Sequence, residues 1–316
     1  MTVLEIIQRS TEFLEKKGVE SARLQSELLL AHVLKLPRMK LYLNFEKQLS
    51  VAETDAMREL VKRRATREPL QHITGSTSFC GFEITVNRHV LVPRPETELL
   101  AEAGWKFLRE HRTSNIEHPT SNETLPHPAS GHPLPIGWGE GRGEGHAPSA
   151  LDFGTGSGCI AIALAAKCPA ARITALDVSA DALSIAQANA TKNGVVERIQ
   201  FCCGDGFAAL PAGAQFDLIA SNPPYIPSAE IATLQPEVRD FDPRGALDGG
   251  SDGLGFYRRL AVEAAPYLKP HGKIMLEFGD GQAAAIEKIF AAQMWIVEAV
   301  RDDYSQRQRI LIARRE

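Results

Sequence analysis

Asn222-Pro223-Pro224-Tyr225 is the segment of this sequence whose residue types most narrowly limit the chemistry. It follows residues 216–221, an apolar run that predicts a buried strand. Two successive prolines cannot continue a strand ladder, so we expect a rigid backbone with its carbonyls facing outward. A planar NH2 group has two protons to donate, and the Asn222 Oδ1 and the Pro223 carbonyl can accept one each. The Tyr225 ring can stack on the planar group.

These acceptors suit the transfer of a methyl group to a planar nitrogen. The lone pair of an amide or aryl amine nitrogen is delocalised, so this nitrogen is a weak nucleophile. Two hydrogen-bond acceptors raise its electron density and stabilise the positive charge that develops during transfer. Correct orientation of the nitrogen for in-line displacement at the methyl group lowers the barrier further. Asn222 is not a base, so we expect the surplus proton to leave to water. Taken in isolation, the tetrapeptide could also be a turn.

A glycine-rich loop, Gly154-Thr155-Gly156-Ser157-Gly158, lies between a predicted strand and an Ala-rich helix. Nucleotide-type cofactors approach the backbone at such a loop, because glycine permits positive φ and carries no Cβ. A dinucleotide-binding fingerprint requires a sixth-position glycine, where this chain has Cys159. The loop therefore favours S-adenosylmethionine over NAD. Asp152 precedes the loop and is expected to orient it.

Two further acidic residues follow the next predicted strands. Asp177 ends its strand 19 residues beyond Gly158, where a carboxylate can accept hydrogen bonds from both ribose hydroxyls; the alternative is a helix N-cap. Asp205 follows a third strand and could bind the adenine amino group, with Phe207 facing the ring. Simple turn chemistry is the alternative for Asp205. With the glycine loop and Asp177 in this order, the tetrapeptide is interpreted as catalytic.

The elements that must position these residues fall into three parts. Residues 1–72 show helical periodicity and predict a small all-α domain for substrate recognition. Residues 73–92 alternate with period two and predict a β-hairpin linker. Residues 93–316 alternate strands with helices, which predicts an α/β domain built on a doubly wound parallel sheet. The catalytic residues are expected at the carboxyl edge of that sheet.

Residues 111–149 interrupt the catalytic domain with a different composition. They hold 5 of the 9 histidines, together with 6 prolines and 6 glycines, and lack a hydrophobic period. Such a segment buries too little apolar surface to offset its ordering entropy, so we predict a disordered insertion. A His-rich metal tract is the alternative, which the irregular histidine spacing disfavours.

Composition excludes several classes of function. The net charge of −4 does not support a broad nucleic-acid footprint, although Lys62, Arg63, Arg64 and Arg67 form one candidate basic patch. The five cysteines include no Cys-x-x-Cys pair, which argues against a zinc site and fits small core residues in a reducing compartment. No signal peptide or membrane-length apolar stretch is present in the sequence. We therefore expect a cytoplasmic monomer without a metal.

The chain resembles the bacterial release-factor glutamine methyltransferase family, also called PrmC or HemK. The resemblance covers nearly everything outside 111–149. The segments that carry it are 67–75 (Arg-Glu-Pro-Leu-Gln-His-Ile-Thr-Gly), 92–98 (Val-Pro-Arg-Pro-Glu-Thr-Glu), 151–158, 222–225, and 276–279 with Gln282. Pro93 to Glu98 is far more specific than the glycine loop.

The resemblance implies a helical N-terminal domain joined through a hairpin to a Rossmann-like S-adenosylmethionine-dependent methyltransferase domain. It implies N5-methylation of the glutamine in the Gly-Gly-Gln loop of class I peptide chain release factors. Gly154 to Gly158, Asp177 and Asn222 would bind the cofactor, and Asn222 to Tyr225 would hold the glutamine. One departure concerns the adenine contact: many relatives place an aromatic residue directly after the aspartate that matches Asp205, whereas here Gly206 intervenes before Phe207.

Three other functions remain possible from the sequence alone. A nucleic-acid adenine N6-methyltransferase needs the same tetrapeptide, but it should also carry a basic recognition surface and flip its base. A ribosomal-protein glutamine methyltransferase is harder to separate. A non-catalytic adapter that binds release factor is disfavoured by the intact Asn222 and glycine loop.

Overall fold

A computed structural model describes the backbone of residues 1–114 and 147–316 and the side chains of 1–110 and 147–316. The N-terminal region is a bundle of three long helices and two short ones: α1 (Val3–Lys16), α2 (Ala22–Leu34), α3 (Arg38–Leu41), α4 (Val51–Ala65) and α5 (Leu70–Thr74). Capping boxes begin α1 and α4, where Thr2 pairs with Glu5 and Ser50 with Glu53. Apolar faces of these helices enclose one small core.

Backbone conformation sets the start of several of these helices. Ser21 precedes α2 but has a φ of 49° and makes no side-chain capping bond, so its left-handed backbone, not its hydroxyl, sets the start of the helix. The short helices α3 and α5 were not predicted, because four or five residues show no hydrophobic period. Both lie where proline at the preceding position fixes φ.

A hairpin of β1 (Ser76–Phe79) and β2 (Phe82–Thr85) follows the bundle. The next helix, α6 (Pro95–Ser114), is longer than the sequence pattern indicated. The predicted insertion 111–149 is corrected at both ends, since α6 continues through Ser114 and the next strand starts at Ser149. Residues 115–146 lie outside the described part of the chain.

In the part of the chain that the structure describes, seven strands form the main sheet, in the order β5-β4-β3-β6-β7-β9-β8. The first five strands in that order are mutually parallel. β9 runs antiparallel to both of its neighbours, β7 and β8. Their bounds are β3 (Ser149–Phe153), β4 (Arg172–Asp177), β5 (Ile199–Cys203), β6 (Phe216–Ser221), β7 (Leu268–Glu277), β8 (Trp295–Asp302) and β9 (Gln308–Arg315). The predicted α/β fold with a parallel sheet is confirmed, while the antiparallel pair β8–β9 was not predicted.

Helices cover both faces of this sheet. One face is covered by α6, α7 (Cys159–Lys167) and α8 (Ala180–Lys192). The other face is covered by α10 (Gly255–Glu263) and α11 (Ala283–Ala291). The short helix α9 (Pro236–Arg239) lies in the loop after β6. Neighbouring strand residues enter opposite cores: Ala150 packs in the α6–α8 core and Leu151 in the α10–α11 core. Burial on both faces explains why the parallel strands are almost continuously apolar.

Each residue of the candidate basic patch is ion-paired in the fold. Arg63 pairs with Glu68, and Arg64 and Arg67 both pair with Glu237 of α9. Among the cysteines, Cys159, Cys168 and Cys202 are buried as expected of small core residues, whereas Cys203 is exposed. No helix in the described ranges is long and apolar enough to cross a membrane.

Candidate active site

The glycine loop lies at the carboxyl end of β3. Gly154, Gly156 and Gly158 have φ values of +74°, +53° and +80°, which L side chains rarely adopt. The backbone N–H groups of Gly154 and Thr155 both donate to the Leu176 carbonyl of β4, at 2.8 and 2.9 Å. A Cβ on Gly158 would lie 2.9 Å from the Ala186 Cβ of α8. The glycines therefore let the loop turn tightly and let α7 approach α8.

Asp152 fixes this loop from beneath. Its side chain is completely buried, and its Oδ2 accepts from the Thr155 hydroxyl at 2.6 Å and from the Ala161 N–H at 3.0 Å. Burial raises the pKa of Asp152 to about 7, against these two hydrogen bonds, which lower it. Asp152 thus joins the loop to the first turn of α7, in agreement with the orienting role expected of it.

Asp177 ends β4 beside the loop. Its Oδ2 accepts from the Gly156 N–H at 2.8 Å and its Oδ1 accepts from the Ser179 N–H at 2.9 Å. Each oxygen keeps a further lone pair, so the carboxylate is oriented by the backbone and can still accept from a ligand diol. The N-cap of α8 is Ser179 rather than Asp177, because the Ser179 hydroxyl accepts from the Ala182 N–H.

The structure places Phe207 differently from the adenine-binding prediction, whereas Asp205 lines the cavity at this edge of the sheet. The Asp205 side chain is 75% exposed, and its Oδ1 accepts from Arg259 at 2.6 Å. Phe207 is buried, with its ring stacked on Tyr267 at 4.7 Å and tilted against Phe153 at 5.0 Å. Gly206, with a φ of +75°, turns the chain so that the Phe207 ring enters the core instead of facing a ligand. The predicted ring contact of Phe207 is therefore corrected.

A cavity of about 260 Å³ runs along this edge of the sheet, and we call it the first cavity. Gly154 to Ser157, Asp177 and Asp205 form its floor, and residues 89–94 and 243–246 form much of its other wall. A Cβ added at Gly154 or Gly156 would meet no other atom within 4 Å. The backbone of the loop is thus open to a ligand, and polar groups lie along the floor of the cavity.

Asn222 begins the loop after β6, next to the glycine loop because β6 and β3 are neighbouring parallel strands. The Ser221 hydroxyl donates to the Phe153 carbonyl at 2.7 Å and joins the two strand ends. The Asn222 Nδ2 donates to the Thr97 hydroxyl oxygen of α6 at 3.1 Å. Asn222 lines the first cavity and also a second cavity of about 320 Å³.

The second cavity combines apolar and charged walls. Leu91, Arg94, Asn222 and Ala246 line both cavities, so the two meet there. The remaining wall residues of the second cavity are Glu96, Tyr225, Ile226, Leu234, Val238, Leu247, Glu277 and Arg309. A ligand in the first cavity and a side chain in the second would therefore face each other beside Asn222.

Tyr225 is held in place by the segment that follows β7. The Gln282 Nε2 donates to the Tyr225 carbonyl at 2.9 Å, while the Gln282 Oε1 accepts from the Gly279 N–H at 2.9 Å. Burial and the neighbouring Glu277 charge raise the pKa of Tyr225 to about 12, so its ring is a neutral wall of the second cavity. The motif around residues 276–282 thus positions the last residue of the tetrapeptide.

The prolines take different places. Pro224 lines the first cavity, whereas Pro223 is buried and lies on the wall of neither cavity. Thr155 and Ser157 are buried and line the first cavity with their loop. The acceptor role of the Pro223 carbonyl stays a prediction.

The sequence interpretation assigned no chemical role to Thr97, Glu277 or Arg94. Thr97 and Glu277 are 2% and 1% exposed; the Thr97 hydroxyl accepts from the Asn222 Nδ2, and Glu277 lines the second cavity together with Asn222. Arg94 lies between the cavities and donates to the buried Asp242 at 3.0 Å. Two signals could have indicated them: Arg94 and Thr97 belong to the segment 92–98 and Glu277 to 276–279, both of which carried the family resemblance.

Burial dominates the electrostatics of Glu277. It raises the pKa of Glu277 to about 7, and the neighbouring Thr97 and Asn222 side chains and the charge of Arg309 lower it in part. The buried Glu277 Oε2 has no hydrogen-bond partner within the described residues. Within 1–110 and 147–316, whose side chains the structure describes, no group of three or more His, Cys, Asp or Glu residues could hold a metal ion.

Comparison with known proteins gives consistent matches along the chain. The PrmC N-terminal domain matches residues 5–75, and the methyltransferase small domain matches residues 143–235. A release factor glutamine methyltransferase of Geobacter sulfurreducens is 42% identical over 290 residues, covering 92% of this chain and 88% of that protein. Relatives with the same name from Chlorobaculum tepidum and Rhodospirillum rubrum are 39% and 38% identical, covering 95% and 98% of this chain and 93% and 84% of theirs.

Proposed function

The chain belongs to the release factor glutamine methyltransferase family, and from this we propose that it methylates class I peptide chain release factors. The acceptor would be the side-chain nitrogen of the glutamine in their Gly-Gly-Gln loop, and the cofactor is S-adenosylmethionine. The product, N5-methylglutamine, would support translation termination.

One observation carries the proposal: Asn222 lies where the first and second cavities meet. When bound, S-adenosylmethionine supplies an electrophilic methyl group on a positively charged sulfur. The glycine loop and Asp177 provide backbone and carboxylate groups that suit its binding in the first cavity. The second cavity, which opens at Asn222 and Tyr225, is the place for the acceptor side chain.

Asn222 and Tyr225 would orient the glutamine amide. The Nδ2 of Asn222 is engaged by Thr97, so its Oδ1 is the polar atom left for a substrate N–H. Accepting this hydrogen bond turns the nitrogen toward the first cavity and stabilises positive charge on it as the new bond forms. The nitrogen then releases one proton to restore a neutral amide, and we propose that water accepts it.

The N-terminal bundle of α1 to α5 would recognise the protein substrate. It stands beside the second cavity through α9, whose Glu237 binds Arg64 and Arg67. Because these arginines are paired, the bundle offers them less readily to phosphate groups, in keeping with a protein substrate and no nucleic acid. We propose that one chain works alone and that it acts in the cytoplasm with the translation machinery.

Mass spectrometry tests the proposal directly. The protein is incubated with S-adenosylmethionine and unmodified release factors, and the Gly-Gly-Gln peptide is expected to gain one methyl group on glutamine. A release factor with Gly-Gly-Ala in that loop is the matched substrate control and should gain none. Methylation of a ribosomal protein or of adenine in nucleic acid, with no change in the release factor, would overturn the proposal.

A further inference from the structure

The first cavity passes the ends of four parallel strands in a fixed order. In the sheet order β5-β4-β3-β6, the loops after these strands place along one edge Asp205, Asp177, residues 154–158 and Asn222. In S-adenosylmethionine the sulfur that bears the methyl group is joined to the ribose, and the ribose is joined to the adenine. With the methyl group at Asn222 and the ribose at Asp177, the adenine would lie at the β5 end of the cavity, beside Asp205.

Arg259 of α10 covers Gly206 at that end of the cavity. Gly206 is buried and has a φ of +75°. A Cβ added to Gly206 would overlap the Arg259 Nη2 and would lie 2.8 Å from Cζ and 3.4 Å from Nε. This position is over the guanidinium plane and not at its edge. One face of the guanidinium group therefore packs against Gly206, where any larger residue would displace it.

Hydrogen bonds hold the edges of this guanidinium group. The Arg259 Nη1 donates to the Asp205 Oδ1 at 2.6 Å, and its Nη2 donates to the Asp205 carbonyl at 3.2 Å. Its Nε donates to Glu263, one turn further along α10, at 3.1 Å. The Arg259 side chain is 30% exposed and lines the first cavity. Because N–H groups along its edges are engaged, the flat face is the surface that Arg259 offers to a ligand.

A guanidinium plane is a suitable wall for an adenine ring. It stacks on the face of a base through dispersion and cation–π attraction and needs no hydrogen bond to the base. Phe207 cannot supply such a face, because its ring is buried and stacked on Tyr267. Phe256 lies one turn before Arg259 on α10 and also lines the first cavity. The wall formed by α10 at this end of the cavity is therefore planar and apolar.

We propose that the Arg259 guanidinium group is the surface on which the adenine ring of S-adenosylmethionine stacks. Asp205 and Glu263 contribute to this contact by fixing the orientation of the guanidinium plane. The inference rests on the proposed function, because it takes from it the position of the methyl group at Asn222. It does not depend on which molecule accepts that methyl group, so it can be tested by cofactor binding alone.

Calorimetry with S-adenosylmethionine and no acceptor provides the test. Arg259→Ala removes the guanidinium plane, and Arg259→Lys keeps the positive charge and the aliphatic stem without the plane. We expect both variants to raise the Kd for S-adenosylmethionine about tenfold, the effect of losing a cation stacked on a ring. Arg258→Ala is the matched control and should leave Kd unchanged, because Arg258 pairs with Asp252 and lies off the wall of the first cavity. An unchanged Kd in Arg259→Ala, or full binding by Arg259→Lys, would overturn the proposal.

A change of the base separates stacking on Arg259 from an effect that passes through Asp205. S-inosylhomocysteine keeps the two fused rings of S-adenosylhomocysteine but carries an oxo group in place of the amino group. If the rings stack on Arg259, Arg259→Ala should raise the Kd of both ligands by the same factor. A loss confined to S-adenosylhomocysteine would overturn the proposal, because Arg259 would then act only by presenting Asp205 to the amino group. A protein that bound the cofactor as expected but methylated no release factor would refute the proposed function alone.

Discussion

Arg67 holds Glu237 by a two-point ion pair across the junction between the N-terminal bundle and the catalytic domain. Its Nε donates to Oε1 at 2.6 Å and its Nη2 to Oε2 at 2.7 Å. Arg67 has a φ of +70°, an unfavourable conformation for a side-chain-bearing residue, and Arg64 adds a further bond from an almost fully buried position. The junction is therefore fixed by one carboxylate and two guanidinium groups.

Glu237→Gln should weaken this junction. The amide keeps the shape of the carboxyl but loses its charge and one acceptor, which leaves Arg64 buried with a poorer partner. We expect the free energy of unfolding to fall by about 1–3 kcal/mol and the link between the two regions to be cut faster by protease. Asp240→Asn, which alters the exposed Arg239–Asp240 pair on the same loop, is the control and should leave the free energy of unfolding nearly unchanged. Equal stability of the two variants in urea would contradict this account.

Asn222→Ala should separate catalysis from cofactor binding. Removing Oδ1 removes the acceptor that orients the substrate nitrogen, so we expect kcat to fall by about 10²-fold or more. The glycine loop and Asp177 remain intact, and the Kd for S-adenosylmethionine measured by calorimetry should change by less than about fivefold, or 1 kcal/mol. Turnover at the unchanged rate would refute the assigned role of Asn222.

Asp177→Asn should weaken cofactor binding more than Asp205→Asn. An amide at 177 can accept from only one of the two backbone N–H groups that Asp177 binds, and it lacks the charge that favours a ribose diol. We expect Kd to rise about tenfold or more, which corresponds to ~1.4 kcal/mol. Asp205 is exposed and already bound by Arg259, so its substitution should raise Kd about threefold at most, or ~0.7 kcal/mol. If calorimetry showed a larger rise in Kd for Asp205→Asn than for Asp177→Asn, Asp177 would not be the main polar contact of the cofactor.

Asp152→Asn should change how stability depends on pH. Burial raises the folded-state pKa of Asp152 from 3.8 to about 7, so the folded chain keeps this proton while the unfolded chain releases it. The unchanged protein therefore loses stability relative to the variant as pH rises from about 4 to about 7, and the difference is constant above that window. Asparagine can still accept from Thr155 and Ala161 through one oxygen. Melting temperatures of both proteins at a series of pH values provide the measurement; parallel curves would contradict the raised pKa.

The local sequence pattern was sufficient to predict which residues lie on the floor of the first cavity. Gly154 to Gly158 and Asp177 each follow directly from a strand, so their position depends on residues close in sequence. Phe207 could not be placed in this way. An apolar ring suits both a ligand and a core, and only the backbone turn at Gly206 determines which of them it meets.

The contacts around Asn222 could not be predicted from the local sequence pattern, for a different reason. Thr97 and Asn222 are 125 residues apart and meet because α6 packs on the sheet beside β6. Glu277 joins them only because β7 pairs with β6. The strands β8 and β9 were missed because their exposed positions carry charged residues and weaken the apolar alternation.

The course of α6 indicates where the chain can accept an insertion without a change in turnover. The helix starts beside the active site, where Thr97 contacts Asn222, and by Arg109 it reaches the Lys167 carbonyl at the far end of α7. β3 begins at Ser149, on that same side, opposite the strand ends that carry Asn222. The fold thus separates the edge where chemistry is done from the edge where chain length between Ser114 and Ser149 can vary. A reporter group inserted there should leave the enzyme active.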